Sequence, residues 1–162
     1  MKRIICVLVF FSVPSFVLAQ IPPQSLAPLF HQFEGASAVT YIRKVADIPG
    51  PALDVAKTVI KTKDFAMADA GQKWNATDVV EDINLPFRRL IWCTVVNDVY
   101  VMHYELGGVG HSFHFLVVSS AGKTGKRSLT WVAAGPQNAL DLRDFAEQAQ
   151  AGKLISDSRI GH

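Results

Sequence analysis

The sequence predicts an α+β fold, an antiparallel β-meander of about four strands packed against one or more helices, in a single domain that follows a cleaved signal peptide. Three observations predict it. Between Phe87 and Ala134, β-branched and aromatic runs are broken at short intervals by turn residues. On both sides of that block, apolar residues recur at helical spacing. The chain also opens on two cations followed by an apolar run too short to span a bilayer.

Met1-Lys2-Arg3 precedes the apolar run from Ile4 to Leu18, and Val17-Leu18-Ala19 offers small or modest side chains where a signal peptidase reads. A retained anchor needs about 20 apolar residues, and Pro14 interrupts this run. Residues 1–19 are therefore expected to be removed, leaving a periplasmic or secreted protein. Cys6 lies inside the apolar run, ahead of any cleavage point, so it is a poor lipid acceptor and no stable membrane anchor is expected after cleavage. Loss of Lys2 and Arg3 brings the 16 bases and 14 acids of the whole chain to 14 against 14. Such a balance, with its charges interspersed, gives no electrostatic case for nucleic acid or anionic membrane as a partner. Without Cys6 the remaining thiol is Cys93, so no intramolecular disulfide forms and stability rests on burial. The roughly 140 residues that remain suffice for one core that buries about two-thirds of the unfolded surface. Cys93, within Ile91-Trp92-Cys93-Thr94-Val95, reads as a packed small hydrophobe.

Residues 20–36 form a lead segment in which Ile21-Pro22-Pro23 blocks regular structure and Leu26 to Phe33 suits a brief helix ending near Gly35. The domain is expected over residues 37–155. From Ala36 to Ala46, a helical stripe through Val39, Ile42 and Ala46 and a strand alternation through Val39, Tyr41 and Val45 fit equally. Pro51 suits a first helical position, and Leu53, Ala56, Val59 and Ile60 share one face of a helix to about Lys61. The strand runs are Arg88 to Val96, Val99 to Leu106, His111 to Ser119 and Ser128 to Ala134. Asn97-Asp98 tolerates the positive φ of a tight two-residue turn, and Gly107-Gly108-Val109-Gly110 permits a longer one. After Gly135-Pro136, Asn138 or Asp141 can cap a helix whose buried stripe is Leu142, Phe145 and Ala149 and which stops at Gly152. Residues 156–162 are expected to be a flexible tail.

Candidate chemistry centres on His103, Glu105, His111 and His114, which crowd around the glycine hairpin. Strand alternation places His111 and His114, three apart, on opposite faces unless a bulge intervenes. If Glu105 opposes His111, then His103, Glu105 and His111 share a face; a one-residue change of register instead joins His103 and Glu105 to His114. Either set has the ligand types of an open zinc or non-haem iron site, but its spacing matches no metal motif, so neither metal nor cofactor is assigned. The two-residue turn makes Trp92 face His103, so packing on an aromatic neighbour is the default for that histidine. Trp92 and Tyr104 complete the candidate binding set, because large amphipathic side chains serve recognition surfaces as well as cores.

Other motifs carry less. A strand rather than a helix follows Gly107–Gly110, which excludes a phosphate loop, and Gly122-Lys123-Thr124-Gly125-Lys126-Arg127 has the wrong order for one. Ser112 lacks the elbow glycines of a strand-to-helix nucleophile. Asn75-Ala76-Thr77 is a glycosylation sequon that suggests an exposed turn, and Arg88 and Arg89 stand ready to answer the nearby acids Asp78, Glu81 and Asp82.

These features predict an exported, non-enzymatic protein-binding domain, inhibitor- or immunity-protein-like, that blocks or binds a cell-envelope partner. The hairpin from Glu105 to His111 would enter a partner's cleft, with Glu105 or the acids between Asp78 and Asp82 meeting a cationic groove. The alternative is a small metal- or ligand-binding protein or hydrolase that uses the His/Glu cluster. Loops that protrude favour the first reading, and a concave pocket gathering those side chains favours the second.

Overall fold

The computed structural model describes residues 30, 31, 33, 39–60, 65–121, 126–135 and 137–156. In chain order these form β1 (Tyr41–Ile42), a 3-10 turn (Val45–Asp47), α1 (Gly50–Ile60), β2 (Arg88–Val96), β3 (Val99–Leu106), β4 (Ser112–Ala121), β5 (Lys126–Gly135), α2 (Leu142–Gln150) and β6 (Ile155–Ser156). Phe30, His31 and Phe33 are also helical. The signal peptide, most of the lead segment, the loop after Ala121 and the tail beyond Ser156 lie outside the described residues.

The strands form one antiparallel sheet in the order β1-β2-β3-β4-β5-β6, so the fold is α+β and, among the described residues, the sheet has six strands rather than about four. The added pair, β1 and β6, are two-residue edges, too short to display an alternation in sequence. Short edges also leave little free backbone for pairing with another chain. Ala68 extends the cover of β2 by bridging to it, with its N–H donating to the Arg88 carbonyl and its own carbonyl accepting from Leu90 N. The segment that fitted helix and strand equally is extended at β1 and then turns through the 3-10 turn.

The four long strands follow local chemistry. Asn97 and Asp98 adopt φ of 47° and 65°, which sets the tight turn that pairs Val96 with Val99 and Trp92 with His103. A bulge between Leu90 and Trp92 then reverses the alternation, so Leu90 and Cys93, three apart, face the same side.

Both sheet faces are covered. On one, α1 lays Ala52, Ala56 and Val59 over Leu90, Met102, Tyr104 and Leu116. On the other, α2 lays Leu142, Phe145, Ala146 and Ala149 over Trp92, Val101, Phe115, Val117 and Trp131, joined by Phe30 and Phe33. Asp141 caps α2, its carboxylate accepting from Asp144 N at 2.8 Å. An antiparallel sheet commonly keeps one face in water; here seven of the eight residues of β3 are buried, which draws His103 and Glu105 inside.

Candidate functional site

Across the glycine hairpin Glu105 pairs with Phe113, two residues from the register that would oppose it to His111. An even shift preserves the faces, so His103, Glu105 and His111 share one side and His114 takes the other. Of the six candidates, Trp92, His103, Glu105, Tyr104 and His114 are buried, and only His111 exposes much of its side chain, at 43%.

His103 and Trp92 have a joint task. The His103 ring stacks on Phe115 at 4.1 Å between centroids and meets Trp92 edge-on at 5.3 Å. Its Nδ1 lies 3.0 Å from the His114 carbonyl oxygen, which can only accept, so Nδ1 carries the proton. Nε2 accepts from Ala139 N at 3.2 Å and lies 2.9 Å from Asn138 Oδ1, an oxygen that can accept from Nε2 only when the ring is doubly protonated. Trp92 Nε1 donates to the Ala139 carbonyl at 2.9 Å. Together the two rings hold both backbone polar groups of Ala139 and fix the entry to α2. Burial pushes the His103 pKa below its ordinary value, against the opposing pull of the His114 carbonyl, the Asn138 amide and the Glu105 and Asp144 charges.

A depressed histidine pKa means that on acidification the unfolded chain takes up this proton before the folded one. Stability from this group is therefore whole above about pH 6.5 and falls as pH drops below it, with a limiting slope of about 1.4 kcal/mol per pH unit. Urea midpoints between about pH 7.5 and pH 5 are expected to fall more steeply in the wild type than in His103→Gln. Parallel pH profiles would remove His103 from this role.

On the α1 face, Tyr104 stacks on His114 with 5.2 Å between centroids, and Ser112 Oγ lies 2.8 Å from His114 Nε2. Cys93 is buried nearby, and burial pushes its thiol up to about 12, so it remains protonated and acts as the packed hydrophobe its neighbours suggest.

Glu105 forms a closed electrostatic unit. Oε1 accepts from Arg89 Nε at 2.5 Å and Oε2 lies 2.8 Å from His111 Nε2. Trp74 packs beside both partners, its ring 5.1 Å from the Arg89 guanidinium carbon and 5.5 Å from the His111 ring. With Arg89 on the carboxylate, Glu105 is not an open metal ligand, and among the described residues no group of three His, Cys, Asp or Glu can hold a metal ion. A groove of about 560 Å³ lies between α2 and Tyr41, lined by Phe33, Val39, Leu142 and Ala146, and none of the six candidates borders it.

The most distinctive surface lies in residues 75–87, which carry no periodicity. Asn75 is 1% exposed and acts as a hub: its Nδ2 donates to the carbonyls of Asp82 at 2.8 Å and Leu85 at 2.9 Å, and its Oδ1 accepts from Glu81 N at 3.2 Å. The sequon thus marks a buried side chain with both amide hydrogens engaged, not an exposed turn. The loop docks against the glycine hairpin, where Gly107 N donates to the Phe87 carbonyl at 2.9 Å. A Cβ on Gly107 would overlap the Asn75 carbonyl oxygen, so this close approach requires glycine. Around this fixed base Val79, Val80, Ile83, Phe87 and Val109 stand exposed, Ile83 at 89% and Val109 at 94%. Apolar residues interleaved with acids from Asp78 to Ile83 were the sequence signal for this surface.

No helix among the described residues is long and apolar enough to cross a membrane. Comparison with protein families, with curated proteins and with solved structures finds no match to this chain.

Proposed function

We propose that this is an exported, periplasmic, non-enzymatic protein-binding domain, inhibitor- or immunity-protein-like, that blocks or binds a cell-envelope partner through the loop of residues 75–87 and the adjoining Gly107–Gly110 hairpin. One observation carries the reading: backbone groups of the loop are tied down by Asn75 while large apolar side chains of the same segment face water. A loop ordered before binding loses less entropy on association, and exposed aliphatic side chains on such a loop supply desolvation energy to a complementary cleft. Export is supported by the leader composition of residues 1–19. The metal or hydrolase alternative has less support, because Glu105 is already held by Arg89 and His111, and His103 by the backbone of Ala139.

Capture of envelope proteins on the tagged chain, compared with an Ile83→Ser/Val109→Ser variant, tests this. Both side chains are exposed, so the urea midpoint should not move, while affinity for the captured partner should fall about 10- to 100-fold. Equal capture by both proteins would move the binding face elsewhere.

A further inference from the structure

The acids beside the exposed apolar residues carry a consequence for the partner. From Thr77 to Phe87 the chain contains Asp78, Glu81 and Asp82 and no Lys or Arg. All three acids are exposed, and among the described residues no cation pairs with them. Asp82 accepts from Asn84 N at 2.9 Å and Asn84 Nδ2 at 3.0 Å, contacts that orient its carboxylate without neutralising it. The bases expected to answer the cluster do not: Arg89 is committed to Glu105 and Trp74, and Arg88, one residue earlier, is half-buried. The loop therefore presents Val79, Val80 and Ile83 among three uncompensated negative charges.

We infer that the partner is a protein whose cleft has an apolar floor and a rim of Lys and Arg; this rests on the binding reading above. A neutral apolar cleft would strip water from the carboxylates without replacing it. An anionic lipid surface or a nucleic acid would repel them. A cationic rim around an apolar floor answers both halves of the loop.

A photo-crosslinking amino acid at Ile83 or Val109, with Leu140 as an exposed control outside the loop, reports the contact directly in envelope extract. The expected result is an adduct from Ile83 and Val109 but not Leu140, weakened about tenfold when salt rises from about 0.1 M to about 1 M and similarly by Asp78→Lys/Glu81→Lys. An adduct indifferent to salt and to charge reversal overturns the cationic rim and leaves the protein-binding reading in place. No protein adduct from Ile83 or Val109 at either salt overturns both. Association of these variants with phosphatidylglycerol vesicles in place of a protein adduct also overturns both, in favour of a lipid surface.

Discussion

Replacing Asn75 with alanine is expected to lower the unfolding free energy by about 2–4 kcal/mol and to abolish partner capture. The side chain donates to the Asp82 and Leu85 carbonyls and accepts from Glu81 N, while its own backbone N–H donates to the Pro86 carbonyl at 2.9 Å. Truncation keeps the backbone bond and removes the rest. Each lost bond contributes about 1 kcal/mol, and the orphaned loop groups regain water only if the loop opens. The loop then no longer holds Val79, Val80 and Ile83 in one arrangement, so binding falls with stability. Asn75→Asp keeps the shape and the acceptor for Glu81 N but sets a second acceptor oxygen against the Asp82 and Leu85 carbonyls in place of the donor, and should behave nearly as badly as alanine. Gly107→Ala reaches the same state from the other side, because its Cβ would overlap the Asn75 carbonyl oxygen and lie 2.8 Å from Ala76 C, both backbone atoms that cannot rotate aside. Urea denaturation and capture on the same samples check this, and an Asn75→Ala protein with wild-type midpoint and binding would dismiss the hub.

The parts of this molecule that were legible in sequence are those set by neighbours along the chain. Asn97-Asp98 fixed its turn by backbone preference, and that turn fixed the Trp92–His103 pairing. The stripe Leu142, Phe145, Ala149 and the Asp141 cap likewise announced α2. The site was not local in this sense. The packing of His103 on Trp92 was legible from the turn, but the burial of Glu105 and the hold of His103 on Ala139 were not, because they depend on α1 and α2 covering both faces of a meander that usually leaves one in water. Arg89 is near the acids in sequence, yet its place on the strand opposite Glu105 sends it to that carboxylate. Residues 75–87 show no period because Asn75 orders them by capturing carbonyls seven and ten residues onward, a device without a repeating signature. Two-residue edge strands are below the length at which alternation has meaning.

Replacing Glu105 with alanine is expected to cost about 2–3 kcal/mol, and zinc is expected to stabilise neither the wild type nor the variant. The carboxylate is buried and serves two partners, Arg89 Nε and His111 Nε2, so its loss leaves the Arg89 guanidinium beside Trp74 without a counter-charge. Breaking a fully buried ion pair costs about 3–5 kcal/mol, and the smaller figure here reflects the partial exposure of Arg89 and His111, which lets water replace some of what is lost. Glu105→Gln retains an oxygen for Arg89 and should cost about half as much. Removing both partners, in Arg89→Ala/Glu105→Ala, should cost less than the sum of the single changes, because the stranded charge departs with the carboxylate. A metal site would behave differently: zinc at a hundred times its dissociation constant would raise wild-type stability by about 2.7 kcal/mol, and Glu105→Ala would erase that gain. Thermal unfolding with and without micromolar zinc separates the two accounts. A zinc-dependent rise in the wild-type midpoint, or a Glu105→Ala protein as stable as its parent, would mean that Glu105 is poised for a ligand and not spent on holding the hairpin to the loop.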